Sequence, residues 1–273
     1  MTAPTSTAAK LKGAEFKAAE FKAAEFFAGI GLVRLGLEAA GVAVAWATDI
    51  DAMKRSVYQE NFGGPGEFLL ADIADVRGAD VPDVDLATAS FPCVDLSLAG
   101  WRRGLAGAHS GTFWHFTRVL DEMGERRPPV VLLENVVGFA TSRGGLDLRA
   151  AAADLNRLGY SVDAIVLDAR RFVPQSRPRL FVVGAQTTPA PPADGDDPLR
   201  PALLGGALDH AGLRTHTFAL PPPPELMSAG LGERVEPLAE SDSRWWDDAR
   251  ARQLVASLSP VQQRRFASLR DAA

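Results

Sequence analysis

The sequence has one cysteine, Cys93, among its 273 residues. A chain with a single cysteine cannot form an internal disulfide, and such usage is typical of a reducing, cytoplasmic setting. The four histidines are scattered, so no zinc-ligand spacing is left and we expect no metal site. The sequence also has no apolar run of the ~20 residues that span a bilayer, so we expect no contact with a membrane.

Positive charge is not in excess either. The chain carries 29 lysines and arginines against 34 acidic residues, a formal net charge of −5. This balance argues against a nucleic-acid-binding protein that is held by bulk charge alone. Local contacts with nucleic acid are not excluded, because arginines cluster at 102–103, 126–127, 170–179 and 264–265. A solvated surface nevertheless explains each cluster taken singly.

What the sequence does contain is a regular alternation of short apolar runs and helix-like stretches. The predicted strands are 23–27, 42–48, 68–70, 84–90, 130–134, 162–168 and 179–185. The predicted helices between them are 32–41, 52–62, 112–125 and 146–159. This alternation predicts an α/β fold, a doubly wound, mainly parallel sheet of about seven strands with helices on both faces.

Composition divides the chain into four parts. They are an N-terminal extension with an AEFKA repeat, a main domain, a proline- and glycine-rich linker and a helical segment, at 1–22, 23–186, 187–240 and 241–273 respectively. In the helical segment, Ser259, Pro260 and Gln262 are typical of a helix start, with a capping serine and a proline in the first turn. Trp245 and Trp246 are interpreted as packing residues.

Polar or glycine-rich residues follow five consecutive predicted strands. Ligands of doubly wound sheets bind beyond the carboxyl ends of the strands, so this placement favours a binding site over a purely structural origin. The residues concerned are FAGIG at 27–31, Asp49, Asp72, Pro92–Cys93 and Glu134–Asn135.

The segment FAGIG fits a turn at which the backbone approaches a ligand closely, although a bare tight turn explains a G-x-G equally well. Asp49 follows Gly31 by 18 residues, near the spacing at which an acidic residue binds ribose hydroxyls. Arg34 stands where a dinucleotide-binding fingerprint has its third glycine. The pattern therefore argues against NAD and for another adenosine-bearing cofactor.

Cys93 follows a proline, which stiffens the chain and extends Phe91 before it. A buried thiol acting as a small hydrophobic residue is one interpretation, and the position at a strand end favours a nucleophile instead. Only roughly a few per cent of a free thiol is ionised at neutral pH, so a nucleophilic role requires positive charge nearby. Arg102 and Arg103, in a glycine-rich segment, can supply it.

The segment PQSRPR places Arg177 and Arg179 at alternate positions, so both face the same way in an extended chain. Fork-shaped donors in that arrangement suit phosphate or nucleobase oxygens. Glu134 ends an apolar strand, where it is either a salt-bridged structural carboxylate or a proton donor.

Four segments, in order, resemble the motifs of the DNA (cytosine-5) methyltransferases: FAGIG, SFPCVDLS, VLLENV and PQSRPRL. Their order and spacing agree with the family over residues 23–185. The resemblance implies the Rossmann-like fold of S-adenosylmethionine-dependent methyltransferases. It also implies transfer of a methyl group from S-adenosylmethionine to carbon 5 of cytosine in double-stranded DNA, in DNA methylation and restriction–modification.

The resemblance also assigns roles to individual residues. Cys93 would attack carbon 6 of the cytosine, and Glu134 would stabilise the charge that develops at ring nitrogen 3. Arg177 would shape the pocket, and Arg179 would contact the base or hold the glutamate. The cofactor would contact Phe27, Ala28, Gly29, Gly31, Asp49, Ile50, Asp72, Ile73 and Pro92. The DNA would contact Ser97, Arg102, Arg103, Asn135 and Gln175.

The chain departs from the family pattern in its motifs and in its C-terminal part. Val94 stands where the family usually has glutamine, and Leu32, Ser110 and Phe172 replace other usual motif residues. No asparagine lies beyond residue 185, so the family's closing asparagine motif is absent. We therefore expect a truncated form, or the catalytic half of a split enzyme whose second chain carries target recognition, with weak or no sequence-specific methylation alone.

Two other functions remain open from the sequence. A non-catalytic cofactor-binding or regulatory homologue would keep the fold without turnover. A tRNA cytosine methyltransferase would carry similar motifs. Labelled methyl transfer to DNA and to tRNA separates the three.

Overall fold

The computed structural model describes residues 21–63, 68–92, 111–187, 197–228, 230, 232 and 235–271. The chain divides into two units, Met1–Met227 and Ser228–Ala273, which we call the first and the second unit. Most of the N-terminal extension predicted over residues 1–22 lies outside the described residues.

Seven strands of the first unit form one sheet. They are β1 Lys22–Phe26, β2 Ala43–Asp49, β3 Phe68–Leu70, β4 Leu86–Ala89, β5 Val130–Val136, β6 Ser161–Asp168 and β7 Pro178–Ala185. The order across the sheet is β3-β2-β1-β4-β5-β7-β6. Neighbouring strands are parallel except at β7, which is antiparallel to β5 and β6. The predicted mainly parallel sheet of seven strands is confirmed.

The helices lie between and after these strands. They are α1 Leu32–Ala39, α2 Ala52–Phe62, α3 Thr112–Glu122, α4 Gly138–Thr141, α5 Leu146–Arg157, α6 Ala202–Leu208, α7 Asp248–Ser257 and α8 Pro260–Arg270. The helices predicted between strands correspond to α1, α2, α3 and α5. None of the helices in the described part of the chain has both the length and the apolar character needed to cross a membrane.

Helices pack on both faces of the sheet, because successive side chains of a strand point to opposite faces. On one face, Phe26 of β1 packs against Phe116 of α3, with ring centroids 5.0 Å apart, in a core that also contains Leu148 of α5. On the other face, Ala23 of β1 is covered by Leu37 of α1. This two-sided packing is the doubly wound arrangement that the alternation of strands and helices predicts.

The segment 197–218 runs along the outer edge of β6, within the range 187–240 that was predicted to be a linker. Val162 donates its N–H to the carbonyl of Arg214 at 3.0 Å, and its carbonyl accepts from the N–H of His216 at 3.0 Å. An uncovered edge strand presents unpaired backbone groups, and this segment pairs with those of Val162. Its many prolines and glycines conceal that role in the sequence.

The second unit contains α7 and α8. The Ser259 hydroxyl accepts from the N–H of Gln262 at 3.4 Å, and the Gln262 side chain accepts from the N–H of Ser259 at 2.9 Å. This capping box confirms the predicted start of α8. The interpretation of Trp245 and Trp246 as packing residues is wrong, because they are 56% and 48% exposed. The guanidinium of Arg250 lies 4.4 Å from the ring centroid of Trp246, where a cation–π contact stabilises the exposed indole.

A substitution at Gly78 tests the packing of α3 against the segment that precedes β4. A Cβ atom at Gly78 would lie 2.7 Å from the backbone of both Glu122 and Met123, which cannot move without distorting the end of α3. We expect Gly78→Ala to lower the free energy of unfolding by about 1–3 kcal/mol, as overpacking does. Urea denaturation followed by circular dichroism measures the change.

The matched control is Gly36→Ala in α1, where an added Cβ meets no atom within 4 Å. Because alanine favours a helix over glycine, we expect this control to be neutral or to stabilise the protein by about 0.5–1 kcal/mol. Equal effects of the two substitutions would contradict the packing described for Gly78.

Candidate functional site

The strand order reverses between β1 and β4, which lie side by side near the middle of the sheet. From β1 the chain continues to β2 and β3 on one side, and from β4 it continues to β5 on the other. Phe26 and Ala89, the last residues of β1 and β4, are register partners. The segments that follow them, 27–31 and 90–92, therefore leave the sheet next to each other. Such a reversal opens a crevice that binds ligands in doubly wound folds.

The turn at 27–31 has an unusual backbone. Phe27, Gly29 and Gly31 have φ angles of 57°, 57° and 88°. Positive φ is uncommon and strained for a residue with a side chain, so Phe27 is a position at which the surrounding structure holds the backbone. A Cβ at Gly31 would overlap the ring of Phe62, whereas one at Gly29 would meet no atom within 4 Å. Gly31 thus allows close packing below the turn, and Gly29 leaves open space around it.

Asp49, at the end of β2, ties that strand to the turn. Its Oδ2 accepts from the N–H of Gly29 at 2.8 Å, and its Oδ1 accepts from the N–H of Asp51 at 3.0 Å. Asp49 is 8% exposed, and the Nζ of Lys54 lies 3.9 Å from Oδ1. Each carboxylate oxygen can accept more than one hydrogen bond, so Asp49 can hold the turn and still accept from a ligand hydroxyl.

The other residues predicted to contact the cofactor from β2 and β3 differ in exposure. Ile50 is 66% exposed and offers an apolar surface beside Asp49. Asp72 is exposed, and its Oδ1 accepts from the N–H of Ala74 at 2.9 Å. Ile73 is buried in the core instead, with 6% of its surface exposed.

The chain that leaves β4 is fixed from β5. The Nδ2 of Asn135 donates to the carbonyl of Phe91 at 3.1 Å, and its Oδ1 accepts from the N–H of Val136 at 2.9 Å. The Phe91 ring is buried against Phe113 and Phe139, with centroids 5.6 Å away in each case. Asn135 therefore holds the backbone one residue before Pro92. Cys93, Ser97, Arg102 and Arg103 lie outside the described residues.

Glu134 and Arg179 form an ion pair across the antiparallel strands β5 and β7. The Nε of Arg179 lies 2.9 Å from Oε1 of Glu134, and the two side chains are partly exposed. Arg179 also donates to the carbonyl of Pro178 at 2.9 Å. The structure thus brings together the glutamate and the second arginine of the sequence motifs, at the same edge as Asn135.

The loop that precedes β7 is organised by Asp168. Its Oδ1 accepts from the N–H groups of Arg170 at 3.0 Å and Arg177 at 2.7 Å, and its Oδ2 accepts from the hydroxyl of Ser176 at 3.1 Å. The first two of these hydrogen bonds hold the pKa of Asp168 below its usual value. Arg177 and Gln175 are exposed on this loop. Sequence reasoning missed Asp168, although an aspartate at the end of an apolar strand is a recognisable signal.

Glu25 of β1 was also missed, and it lies directly under the turn. It is 1% exposed, yet its carboxyl group accepts from the backbone N–H of Arg34 at 3.3 Å and from the hydroxyl of Tyr58 at 3.1 Å. Burial raises the pKa of Glu25 to about 7, against the opposing effect of these hydrogen bonds. The sequence signal was a carboxylate inside the apolar run 23–27.

Within the described part of the chain, no cluster of histidine, cysteine and acidic side chains is placed to hold a metal ion. The polar side chains described at this edge of the sheet include Asp49, Asn135 and the Glu134–Arg179 pair.

The fold is that of a Rossmann-like methyltransferase. The Dnmt2 methyltransferase of S. pombe superimposes with a TM-score of 0.52 and 25% sequence identity, over 63% of this chain and 53% of that protein. A methyltransferase of Entamoeba histolytica, EhMeth, gives a TM-score of 0.53 at 20% identity, over 61% of this chain and 53% of that protein.

Sequence comparison identifies the family. Residues 21–197 match the family model of the C-5 cytosine-specific DNA methylases, and the chain belongs to that family. The type II methyltransferase M.NlaX of Neisseria lactamica is 38% identical over 144 residues, 52% of this chain and 44% of that protein. M.HhaI of Haemophilus parahaemolyticus is 34% identical over 147 residues, 54% of this chain and 43% of that protein. The chain thus spans about half the length of the curated relatives that it matches.

The raised pKa of Glu25 predicts a change of stability with pH. The native protein holds the Glu25 proton more tightly than the unfolded chain does, so stability is lost as pH rises from the unfolded value, 4.5, through about 7. The loss amounts to ~3 kcal/mol over this range. Because Glu25→Gln cannot ionise, the free energy of unfolding of the variant, relative to wild type, should rise by that amount between pH 5 and pH 8.

Urea denaturation of both proteins at the two pH values measures this difference, in which the contributions of other titrating groups cancel. Glu60→Gln, on the exposed surface of α2, is the control and should show no such trend. A difference between wild type and Glu25→Gln that stays constant from pH 5 to pH 8 would show that Glu25 is not buried as described.

Proposed function

We propose that the chain is the catalytic part of a DNA cytosine-5 methyltransferase, which transfers a methyl group from S-adenosylmethionine to carbon 5 of cytosine through a covalent adduct with Cys93. One observation carries the proposal: at the end of β5, Glu134 pairs with Arg179 and the next residue, Asn135, holds the carbonyl of Phe91, two residues before Cys93 in the sequence. Membership in the C-5 cytosine-specific DNA methylase family supports it.

The residues around the turn fit an adenosyl cofactor. Asp49 keeps acceptor capacity for ribose hydroxyls, Gly29 leaves open space over the turn, and Ile50 offers apolar surface for an aromatic base. When bound, S-adenosylmethionine supplies an electrophilic methyl group. The residues proposed to hold it are Phe27, Ala28, Gly29, Gly31, Asp49, Ile50, Asp72, Ile73 and Pro92. The burial of Ile73 means that it acts there by supporting Asp72 from the core.

The nucleophile of the proposal is the thiolate of Cys93. Its Sγ forms a bond to carbon 6 of the cytosine, which removes the 5,6 double bond and leaves the electron pair at carbon 5. Asn135 fixes the carbonyl of Phe91, and the ring of Pro92 restricts its own φ angle. Both residues therefore set the direction from which the thiolate attacks.

The role proposed for Glu134 is to stabilise the charge that develops at ring nitrogen 3. Its carboxyl group shares a proton with ring nitrogen 3, which neutralises the charge that the attack creates, and Arg179 holds it in place. Carbon 5 would then take the methyl group of S-adenosylmethionine, with S-adenosylhomocysteine as the leaving group. Loss of the carbon 5 proton to solvent and cleavage of the Sγ–carbon 6 bond restore the double bond and the thiolate.

The target base reaches these groups only after it leaves the DNA stack. The residues proposed to contact DNA are Ser97, Arg102, Arg103 and Gln175, and Arg177 is proposed to shape the pocket. Asn135, which the sequence also assigned to DNA, is 4% exposed and hydrogen-bonded to Phe91 and Val136, so its proposed role is to fix the backbone before Cys93. The matched region covers 44% of M.NlaX, so we infer that target recognition requires protein outside that region, which a second chain can supply. The reduced thiol that the proposal requires fits a cytoplasmic location.

A mechanism-based substrate tests the nucleophile. DNA that contains 5-fluorocytosine keeps its carbon 5 substituent after methyl transfer, so the adduct cannot collapse. We expect wild type with S-adenosylmethionine to form a protein–DNA complex that survives denaturing electrophoresis, and Cys93→Ser to form none. Adduct formation by the serine variant would overturn the assignment, and adducts on fluorinated tRNA alone would move the substrate to RNA.

Substitution of Arg179 tests the positioning of Glu134. Arg179→Ala leaves the carboxyl group without its partner, and we expect the rate of methyl transfer to fall by roughly 10²-fold, the range of a misaligned general acid, with little change in cofactor affinity. Labelled methyl transfer and calorimetry measure the two quantities. Arg252→Ala, on the exposed surface of α7, is the control and should leave the rate unchanged. Equal rates in wild type and Arg179→Ala would contradict the role.

A further inference from the structure

Helix α1 begins immediately after the turn at 27–31, and it has no cap of its own. Gly31 occupies the N-cap position, where it has no side chain to accept from the first N–H groups of the helix. Glu25, from β1, takes that place: its Oε1 accepts from the N–H of Arg34, the third residue of α1. A carboxylate at this end of a helix also interacts favourably with the helix dipole.

A second contact joins the same carboxyl group to α2. The hydroxyl of Tyr58 donates to Oε2 of Glu25 at 3.1 Å, and Arg34 donates to that hydroxyl at 3.4 Å. The Tyr58 ring lies close beneath the turn: a Cβ atom added to Gly31 would lie 3.0 Å from it. Glu25 therefore links the strand before the turn, the helix after it and the helix below it.

The charged and titratable groups around Glu25 come from each of these elements. Arg34 and Tyr58 contact it directly, Glu38 binds the Nε of Arg34 at 2.7 Å, and Asp49 acts on it from β2. Burial raises the pKa of Glu25 to about 7, so its charge changes near neutral pH. A glutamine could accept from Arg34 and donate to Tyr58 without this cost. What the glutamate adds is negative charge beneath the turn.

We propose that Glu25 is a positioning residue whose ionised carboxylate fixes the first turn of α1 and the backbone of 27–31, so that the protein binds its adenosyl cofactor more tightly when Glu25 is ionised than when it is protonated. The identity of the cofactor rests on the proposed function. Two physical effects act in the same direction. The ionised cap accepts more strongly from Arg34 and Tyr58, and the sulfonium of the cofactor, a cation, favours a nearby negative charge.

Calorimetric titration with S-adenosylmethionine at pH 6, 7 and 8 tests the proposal. We expect the affinity of wild type to rise by about tenfold from pH 6 to pH 8, within the usual range of coupling between two sites. Glu25→Gln should show affinity close to that of wild type at pH 6 and no comparable rise. The difference between the two proteins removes the titration of the cofactor itself. Glu60→Gln is the control and should follow wild type.

Tyr58→Phe supplies a readout that a merely structural role would not move. The Tyr58 hydrogen bond lowers the pKa of Glu25, so its removal should shift the midpoint of the affinity profile to higher pH. Glu25→Asp keeps a carboxylate and, once circular dichroism has established that it folds, should keep a pH-dependent affinity. These two variants keep the test decisive if Glu25→Gln fails to fold.

The outcomes separate the two proposals. Wild type and Glu25→Gln that bind S-adenosylmethionine with the same affinity at every pH would overturn the role of Glu25 and leave the methyltransferase proposal standing. An unshifted midpoint in Tyr58→Phe would also overturn it. Folded wild type that binds no S-adenosylmethionine at any pH would overturn the proposed function, and the inference with it.

Discussion

The reversal of strand order between β1 and β4 is the constraint on which the rest of the site depends. Because Phe26 and Ala89 end paired strands, the glycine turn and the segment that leads to Pro92 start side by side. A cofactor held at the first segment and a nucleophile carried by the second would then be close without any long connection. The strands added outward contribute polar groups to the same edge, Asp49 from β2 and Glu134 and Asn135 from β5.

The turn at 27–31 is held by two carboxylates of different character. Asp49 binds the N–H of Gly29 from the side of β2, and Glu25 binds the N–H of Arg34 from beneath. Together they fix a segment that contains Phe27, a non-glycine residue with positive φ. Strained backbone persists only where the surrounding structure over-determines it, and these hydrogen bonds supply that determination. Ionisation of the buried Glu25 lowers stability, and it places negative charge beneath the turn that is proposed to bind the cofactor.

Much of the sheet could be predicted from the sequence, because its strands are short apolar runs that end in polar or glycine residues. The same pattern located Asp49, Glu134 and Asn135 at one edge, since parallel strands share their carboxyl ends. Contacts between distant segments could be predicted only where the family resemblance supplied them, as for Arg179 and Glu134. The partner of Glu25 is 33 residues away in Tyr58, and the run 23–27 reads as apolar without it. The pairing of the segment 197–218 with β6 could not be predicted for a similar reason, since it depends on backbone groups at the edge of the sheet that the sequence does not reveal.

The central claim is that the thiol of Cys93, the Glu134–Arg179 pair and the cofactor turn meet in one pocket. A crystal structure of the protein with S-adenosylhomocysteine tests it most directly. We expect the ribose hydroxyls to lie within hydrogen-bonding distance of Asp49, and the sulfur of Cys93 to face the same cavity as the carboxyl group of Glu134. A structure in which that sulfur is packed among aliphatic side chains, remote from both Glu134 and the turn, would contradict it.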